Sequence, residues 1–281
     1  MVFVRVNVAR VQDLAIAVNS LGKEKVLLFE DIDPQYKAIK RVVEICEGYA
    51  PLLVVLNALV SYRLSMRGED YWTRFSDYVI QYCTDMGLTL SADEIVRKFI
   101  ERFNRVMLRQ KLSRVFKVVR CKGILEAIEL LPLTDVWKRL SQCLNTNPSS
   151  KTVVFAIKML YYTRKALGEK VNVPIEIPIP VDSRVALVTY LSGALEVRGV
   201  GIDRKLLLKY SNAIRSVWSE VARLSGIPPL NLDAMVWYFG RYADLNSRSE
   251  VLKNVLSELS GLLSEGDVKM LIDNIFYLLP E

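Results

Sequence analysis

Helical periodicity extends through almost the whole of this 281-residue sequence, whereas the alternating pattern of a β-strand is scarce. Between the breaks, apolar residues recur every three or four positions, which places them on one face of a helix. Helices are predicted at residues 11–21, 23–30, 36–47, 50–66, 71–86, 122–131, 134–144, 151–167, 183–195, 203–225, 232–242, 249–263 and 267–279, and one more begins after Ser91. We therefore predict an all-α protein.

The sequence contains no histidine, and this restricts the chemistry that the protein can perform. Ser-His-Asp and Cys-His catalysis, HExxH zinc sites and imidazole proton shuttles are all excluded. Acid–base chemistry must therefore come from carboxylates, lysines, tyrosines or water.

The four cysteines are Cys46, Cys83, Cys121 and Cys143, and no two of them form a CxxC pair. This spacing suits neither a zinc site nor an iron–sulfur cluster, so we predict no metal and no cofactor. The sequence shows no signal peptide and no run that approaches the roughly 18 apolar residues of a membrane helix. We predict a cytoplasmic protein, in which structural disulfides are not expected.

Positive charge is concentrated in one segment of a chain whose formal net charge is +7. Residues 97–122 contain ten basic side chains and a single acid, Glu101. Lys98, Arg102, Arg105 and Arg109 follow one another at spacings of four, three and four, which predicts one basic helical face. A solvated surface is the simpler explanation, but the near absence of acids favours a nucleic-acid partner.

Two residues in the segment 151–184 are candidates for chemistry. Lys151 begins a predicted helix, where the positive end of the helix dipole disfavours the protonated form of a lysine. A neutral lysine amine is a nucleophile. Asp182 follows a proline-rich run that excludes helix, and it is predicted to cap the next helix. Taken singly, a first-turn lysine is more often a solvated surface residue, and such an aspartate is more often only a cap.

Five segments of the sequence together resemble one family. They are DPQYKAI (33–39), LNALVSYRLSMRGEDYW (56–72), KTVVFAIKML (151–160), IPIPVDSRVA (177–186) and GIPPLNLDAMVWYFGR (226–241), and they keep their order along the chain. This sequence is similar to the archaeal 8-oxoguanine DNA glycosylases known as AGOG, of the helix-hairpin-helix DNA glycosylase superfamily. The resemblance implies a fold of two helical lobes with a central cleft. It also implies that Lys151 is the catalytic nucleophile and Asp182 its partner.

The resemblance further implies a set of binding residues. Those that match base-binding positions are Gln35, Trp72, Phe155, Lys158, Asp233 and Trp237, although the aromatic residues among them are, by spacing alone, more typical of a core. Some members of the superfamily carry a cysteine-ligated iron–sulfur cluster near the C-terminus, but this chain has no cysteine after Cys143. We expect one glycosylase unit over residues 1–281, with a middle lobe at about 50–160 and a second lobe formed by 1–49 plus 161–281.

The hairpin departs from the superfamily pattern. Members commonly show a Leu-Pro-Gly-x-Gly hairpin whose backbone amides hold a DNA phosphate, whereas residues 144–150 here contain no glycine. Amides and hydroxyl groups at a helix start still suit a phosphate. We expect DNA-backbone contacts from Asn147, Ser149, Ser150 and Arg184, the last of which stands where many members have histidine.

The predicted function is excision of 8-oxoguanine from DNA through a lysine Schiff base, with associated lyase activity. We expect the protein to act as a monomer, without a metal, a cofactor or a membrane. Three alternatives remain open: a glycosylase for another damaged or mispaired base, a non-catalytic helical nucleic-acid-binding module, and a helical scaffold for protein interactions. Removing the amine of Lys151 separates the enzymes from the module, and salt-insensitive binding of duplex DNA would favour the scaffold.

Overall fold

The fold is described from a computed structural model, which covers residues 3–85, 90–198 and 203–281. Residue 86, where the helix predicted at 71–86 ends, lies outside the described residues, as do residues 199–201, for which the sequence predicts a loop. The chain divides into two compact units, one formed by Met1–Asp31 with Ile175–Glu281 and the other by Ile32–Pro174. We call these the terminal unit and the middle unit.

Helices make up nearly all of the regular structure in the described residues, so the all-α prediction is confirmed. The helices are α1 (Val8–Leu21), α2 (Lys23–Ile32), α3 (Pro34–Cys46), α4 (Ala50–Val60), α5 (Gly68–Asp85), α6 (Ala92–Phe103), α7 (Leu108–Val119), α8 (Ile124–Leu130), α9 (Leu133–Leu144), α10 (Lys151–Ala166), α11 (Ser183–Leu191), α12 (Arg204–Leu208), α13 (Ser211–Ser225), α14 (Pro229–Phe239), α15 (Arg248–Leu259) and α16 (Glu265–Ile275). A 3₁₀ turn spans Glu47–Tyr49, and the two strands are β1 (Phe3–Val6) and β2 (Leu195–Arg198).

The middle unit is built around α4 and α10. Ten of the eleven residues of α4 are buried, and α10 is buried from Val153 onwards except at Phe155 and near its end. Helix α10 packs against α3, α4 and α9, and α3 also packs against α5. Because a helix that is apolar on most sides must lie inside a domain, these two helices form the core. The start of α10 emerges from this core, and it carries Lys151.

In the terminal unit, helix α1 packs against α13 and α16, and α11 packs against α12 and α14. The predicted helix at 183–195 is shorter in the structure, because α11 ends at Leu191 and Gly193 takes a left-handed conformation with φ of 72°. The chain then forms β2, which pairs antiparallel with β1. Helical periodicity did not distinguish the last turn of the helix from this short strand.

The predicted basic face of a single helix is wrong. Helix α6 ends at Phe103 and α7 begins at Leu108, so Arg105 lies in the turn between them. The cause is Asn104, whose side-chain amide donates to the carbonyl of Val60 at 3.0 Å and to the hydroxyl of Tyr71 at 3.1 Å. These two bonds hold Asn104 at the end of α6, where its φ of −138° and ψ of 54° are not helical.

A buried lysine completes this network. Lys111 is fully buried and donates to the side-chain oxygen of Asn104, and the hydroxyl of Tyr71 donates to Asn57 at 2.6 Å. Burial lowers the pKa of the Lys111 ammonium to about 8, because a low-dielectric interior disfavours its charged form. The network ties α7 to the residues that end α4.

Both pairs of cysteines form disulfides, so the prediction that structural disulfides are absent is wrong. Cys46 is bonded to Cys83 and Cys121 to Cys143, with Cα–Cα distances of 5.6 and 5.7 Å. The partners lie 37 and 22 residues apart in sequence. Packing of α3 on α5 brings Cys46 to Cys83, and packing of α7 and α8 on α9 brings Cys121, in the turn between α7 and α8, to Cys143. Neither the expected compartment nor the local spacing of the cysteines reports these contacts between helices.

The segment Pro34–Val60 is long and apolar enough to cross a membrane by length and composition alone. It consists of α3, the 3₁₀ turn and α4, and 67% of its most apolar window is buried inside the fold. Core helices of soluble proteins pass the same test, so the apolar character of this segment is accounted for by its packing in the middle unit.

Candidate active site

The hairpin between α9 and α10 is formed without glycine. Asn145 takes the left-handed conformation, with φ of 48°, that glycine usually occupies at the end of a helix. The backbone amide of Thr146 donates to the carbonyl of Ser141 at 3.0 Å, and that of Asn145 to the carbonyl of Gln142 at 3.0 Å, which is a Schellman motif. The indole of Trp137 braces the hairpin by donating to the carbonyl of Pro148 at 2.7 Å. At the end of α9, an asparagine thus takes the left-handed conformation that a glycine would usually take.

The residues after the hairpin turn lead into the start of α10. Asn147 is exposed, and its side-chain oxygen accepts from the backbone amide of Ser149 at 2.8 Å. Ser150 is the N-cap residue, but its side chain makes no capping bond, and its buried Oγ has no hydrogen-bond partner among the described residues. This segment therefore lies at the positive end of a 16-residue helix, where backbone amides favour an anion.

The accessibility of three lysines singles out one of them. Lys151 is exposed at the first position of α10, whereas Lys111 and Lys158 are both buried, with at most 1% of their surface exposed. An amine that attacks a sugar carbon must reach the surface to meet its substrate. Of these three lysines, only Lys151 meets this requirement.

A carboxylate that the sequence argument missed lies beside Lys158. The Lys158 ammonium is 3.5 Å from Oδ2 of Asp33, and the hydroxyl of Tyr162 donates to the same oxygen at 2.9 Å. The other oxygen of Asp33 accepts from the backbone amide of Gln35 at 2.8 Å, which caps α3. The sequence did mark Asp33 as a candidate, because it precedes Pro34 at the start of α3 and lies in the segment 33–39 that resembles the family. The capping role alone did not identify its second partner, which lies 125 residues away.

Asp33→Asn is expected to lower the free energy of unfolding by about 3–5 kcal/mol, because it takes the carboxylate charge from beside a buried ammonium. Asparagine is as good a cap as aspartate, so the capping bond is retained, whereas the oxygen that accepts from Lys158 and Tyr162 is replaced by an NH2 group. The measurement is urea unfolding at neutral pH.

Asp77→Asn is the matched control for Asp33→Asn. Asp77 pairs with Arg41 at 2.8 Å, but both side chains are at least half exposed, and such a pair is worth at most about 1 kcal/mol. Equal losses of stability in the two variants would contradict a buried ion pair at Asp33.

The two aromatic candidates of the middle unit are in contact with each other. The rings of Trp72 and Phe155 lie edge to face, with centroids 6.1 Å apart. Trp72 is 1% exposed, whereas Phe155 is partly exposed one turn after Lys151 on α10. Phe155 therefore presents ring surface, and Trp72 supports it from within the core. Gln35 is also buried, on α3, which packs against α10.

Asp182 is the N-cap of α11, as predicted. Its Oδ1 accepts from the backbone amides of Arg184 and Val185, both at 2.9 Å. Two backbone bonds to one carboxylate oxygen fix the side chain at the end of the proline-rich segment. The cap thereby holds the carboxylate in one orientation, as a catalytic partner requires.

Arg184, Asp233 and Trp237 lie together in the terminal unit. The guanidinium of Arg184 stacks over the ring of Trp237 at 4.1 Å, which is a cation–π contact. Gly240 permits this approach, since a Cβ atom there would lie 2.8 Å from the Cβ of Arg184. Trp237 is partly exposed and Asp233 is 3% exposed, one helical turn apart on α14. The spacing of Asp233 and Trp237 on α14 was predictable from the sequence, whereas the close packing of Gly240 against Arg184 was not.

The predicted site residues are divided between the two units. The middle unit holds Gln35, Trp72, Asn147, Ser149, Ser150, Lys151, Phe155 and Lys158, and the terminal unit holds Asp182, Arg184, Asp233 and Trp237. Within the middle unit, α10 carries an exposed amine, a half-buried ring and a buried ammonium in succession. Within the terminal unit, Asp182 caps α11 with its carboxylate, and Arg184, two residues later, stacks on the indole of Trp237.

A helical fold with a helix–hairpin–helix unit, whose second helix begins with an accessible lysine, defines the class of this protein as the helix-hairpin-helix DNA glycosylase type. The chain belongs to the AGOG family, described as N-glycosylase/DNA lyase, whose sequence model matches residues 15–269. The sequence therefore identified the family correctly.

Relatives named N-glycosylase/DNA lyase support the assignment. The one from Pyrobaculum aerophilum is 35% identical over 227 residues, which cover 79% of this chain and 82% of the relative. The one from Methanopyrus kandleri is 33% identical over 255 residues, or 86% of this chain and 93% of the relative. The crystal structure of Pa-AGOG, the 8-oxoguanine DNA glycosylase of P. aerophilum, complexed with 8-oxoguanosine, matches with a TM-score of 0.73 at 29% identity. That match covers 98% of this chain and 100% of the other.

Proposed function

We propose that this protein excises 8-oxoguanine from DNA and then cleaves the strand as a lyase, with Lys151 as the nucleophile and Asp182 as its partner. The observation that carries the proposal is the position of Lys151, which is exposed at the start of α10 and follows a hairpin suited to a phosphate. Membership of the AGOG family supports the reaction class. The 8-oxoguanosine bound by Pa-AGOG supports the choice of base.

The reaction begins when the neutral amine of Lys151 attacks C1′ of the damaged nucleotide. The bond between C1′ and the base nitrogen breaks, and its electron pair leaves with the base, which takes up a proton. Asp182 stabilises the positive charge that develops on the sugar and accepts the proton lost by the amine. The sugar ring opens to give an imine between Lys151 and C1′. This imine acidifies C2′, and loss of a C2′ proton expels the 3′ phosphate by β-elimination.

The base must leave the duplex to be read. In the proposal, the rings of Phe155 and Trp237 both stack on the base. Asp233 accepts hydrogen bonds from N1–H and the 2-amino group of the guanine edge, and Lys158 donates to a carbonyl oxygen. 8-Oxoguanine differs from guanine by its N7–H and O8, so a hydrogen-bond acceptor near N7 discriminates strongly. We propose that Gln35 and Trp72 also contribute to base binding.

The DNA backbone is held at the hairpin in this proposal. Asn147, Ser149 and Ser150 bind a phosphate through amides and hydroxyl groups at the start of α10, and Arg184 contributes a second backbone contact. The predicted division into lobes at about 50–160 and at 1–49 plus 161–281 stays a prediction, and we propose that the whole chain acts as one glycosylase unit. We propose that the protein works in the cytoplasm as a monomer, without metal, cofactor or membrane.

A trapping assay tests the proposed function. We expect wild-type protein, incubated with duplex DNA containing one 8-oxoguanine and then with sodium borohydride, to yield a covalent protein–DNA band and free 8-oxoguanine. The same duplex with guanine is the control and is expected to give neither product. Duplexes with an alkylated purine or a mispaired base test the other lesions.

The possible failures of this assay are distinct from one another. A folded protein that binds DNA but neither traps nor releases the base would contradict the glycosylase and favour a non-catalytic module. Release of free base without a trapped band would instead identify water as the attacking group. Asp182 would then be the residue to replace next.

A further inference from the structure

The exposed face of α7 is basic, and the reaction proposed above makes no use of it. Arg109, Ser113, Phe116, Lys117 and Arg120 follow one another at helical spacing from the first turn of α7 to the residue that ends it, and all five are exposed. At 3.6 residues per turn they fall within about a quarter of the helix circumference. The basic face therefore lies on α7 alone, and it differs from the face that the sequence predicted on one long helix.

The charges on this face lie in a segment that has no acidic residue. Residues 108–119 contain no aspartate or glutamate. Arg109, Lys117 and Arg120 form no salt bridge with any of the described residues. An unpaired cluster of this kind attracts polyanions.

The position of Arg120 is fixed by an aromatic side chain. Its guanidinium lies 3.9 Å from the ring centroid of Phe116, which is itself 50% exposed. Stacking on a ring restrains the guanidinium and leaves its N–H groups available to an anion. An exposed phenylalanine that restrains an arginine in this way reduces the entropy lost on binding.

The face on α7 is joined to the hairpin. Arg114, on the flank of α7, donates to the hydroxyl of Thr152 at 2.6 Å, and Thr152 is the residue after Lys151. Helix α7 also packs against α9, the first helix of the hairpin. A DNA strand held at the hairpin can thus continue onto α7. From Arg109 to Arg120 the face extends about 16 Å at 1.5 Å per residue, which matches about five phosphates of one strand.

We propose that the face formed by Arg109, Phe116, Lys117 and Arg120 binds the phosphate backbone of the duplex arm that flanks the lesion. This inference rests on the proposed function, because the hairpin that anchors the strand is the one beside Lys151. It adds a second DNA-binding surface, which acts on affinity and not on recognition of the base, since phosphate contacts position a protein without reading sequence.

The test removes the three charges by Arg109→Gln, Lys117→Gln and Arg120→Gln together. The affinity is measured by fluorescence anisotropy, over a series of salt concentrations, on duplex DNA that carries a tetrahydrofuran abasic-site analogue. We expect the dissociation constant to rise about 10- to 100-fold, and the slope of log K against log salt to fall by up to about 2.7 units, since each phosphate contact contributes about 0.9. Shortening the duplex on one side of the lesion is expected to abolish the difference from wild type.

A matched control removes the same charge elsewhere. Lys209, Lys253 and Lys269 are exposed in the terminal unit, and their joint replacement by glutamine is expected to leave the salt slope within a few tenths of wild type. An equal loss in both triple variants would overturn the proposal in favour of an effect of net charge. Lys117→Glu serves as a second variant, and its melting temperature is compared with wild type to exclude unfolding.

The outcomes separate this inference from the proposed function. Base release by the wild-type protein, measured on the same preparation, reports the function. If the wild type releases 8-oxoguanine and the α7 variants bind as it does, the surface proposal is overturned and the function stands. Weaker binding and a smaller salt slope in the α7 variants support the proposal that this surface binds duplex DNA. If the three substitutions weaken binding of RNA more than binding of duplex DNA, the proposal is overturned.

Discussion

Lys151→Gln is expected to abolish the borohydride-trapped adduct and to slow single-turnover release of 8-oxoguanine by at least about 10³-fold. Glutamine has a similar length but no amine, so it cannot form the bond to C1′ on which both products depend. Because Lys151 is exposed at the first position of α10, the free energy of unfolding should change by no more than about 0.5 kcal/mol. Base release and trapping are measured under single-turnover conditions, with enzyme in excess.

The matched control for this variant is Lys138→Gln. Lys138 is exposed on α9 in the same unit, so its replacement removes one positive charge without touching the start of α10. It is expected to trap and to release base at the wild-type rate. A Lys151→Gln protein that still forms a trapped band would show that another lysine is the nucleophile. Lys111 and Lys158 are poor candidates because both are buried.

Local chemistry made much of the fold predictable from the sequence. The spacing of apolar residues predicts helices, so the all-α class and most helix positions could be predicted from the sequence. Asp182 was predicted as a cap because prolines exclude helix before it and a periodic segment follows it. These arguments need only a few neighbouring residues, and they are correct where a few neighbours decide the structure.

Long-range contacts explain what the sequence did not predict. The break between α6 and α7 depends on Asn104, whose side chain reaches the carbonyl of Val60, 44 residues away. The partnership of Lys158 with Asp33 crosses 125 residues. No periodicity encodes either contact, since each exists only after the helices have packed. Several residues proposed for the site came from the family resemblance, because spacing alone could not distinguish a base-binding ring from a core ring.

The two disulfides are expected to supply a large part of the stability of the middle unit. The chain-entropy relation gives about 3–4 kcal/mol for each, because they close loops of 37 and 22 residues. Their sum, about 7 kcal/mol, is comparable with the whole free energy of unfolding of a typical domain, about 5–15 kcal/mol. Reduction of the wild-type protein is therefore expected to lower its melting temperature by at least about 10 °C.

The measurement is thermal unfolding with and without a phosphine reductant, and free thiols are counted in parallel to confirm that both bonds are open. Reduction is preferable to mutation here, because the thiols remain and no cavity is created at Cys46, which is 3% exposed. The control is a variant with all four cysteines replaced by alanine, whose melting temperature should not respond to the reductant. If the wild-type protein is fully reduced and its melting temperature is unchanged, the disulfides do not stabilise the fold. The packing of α3 on α5 and of α8 on α9 would then hold these helices without them.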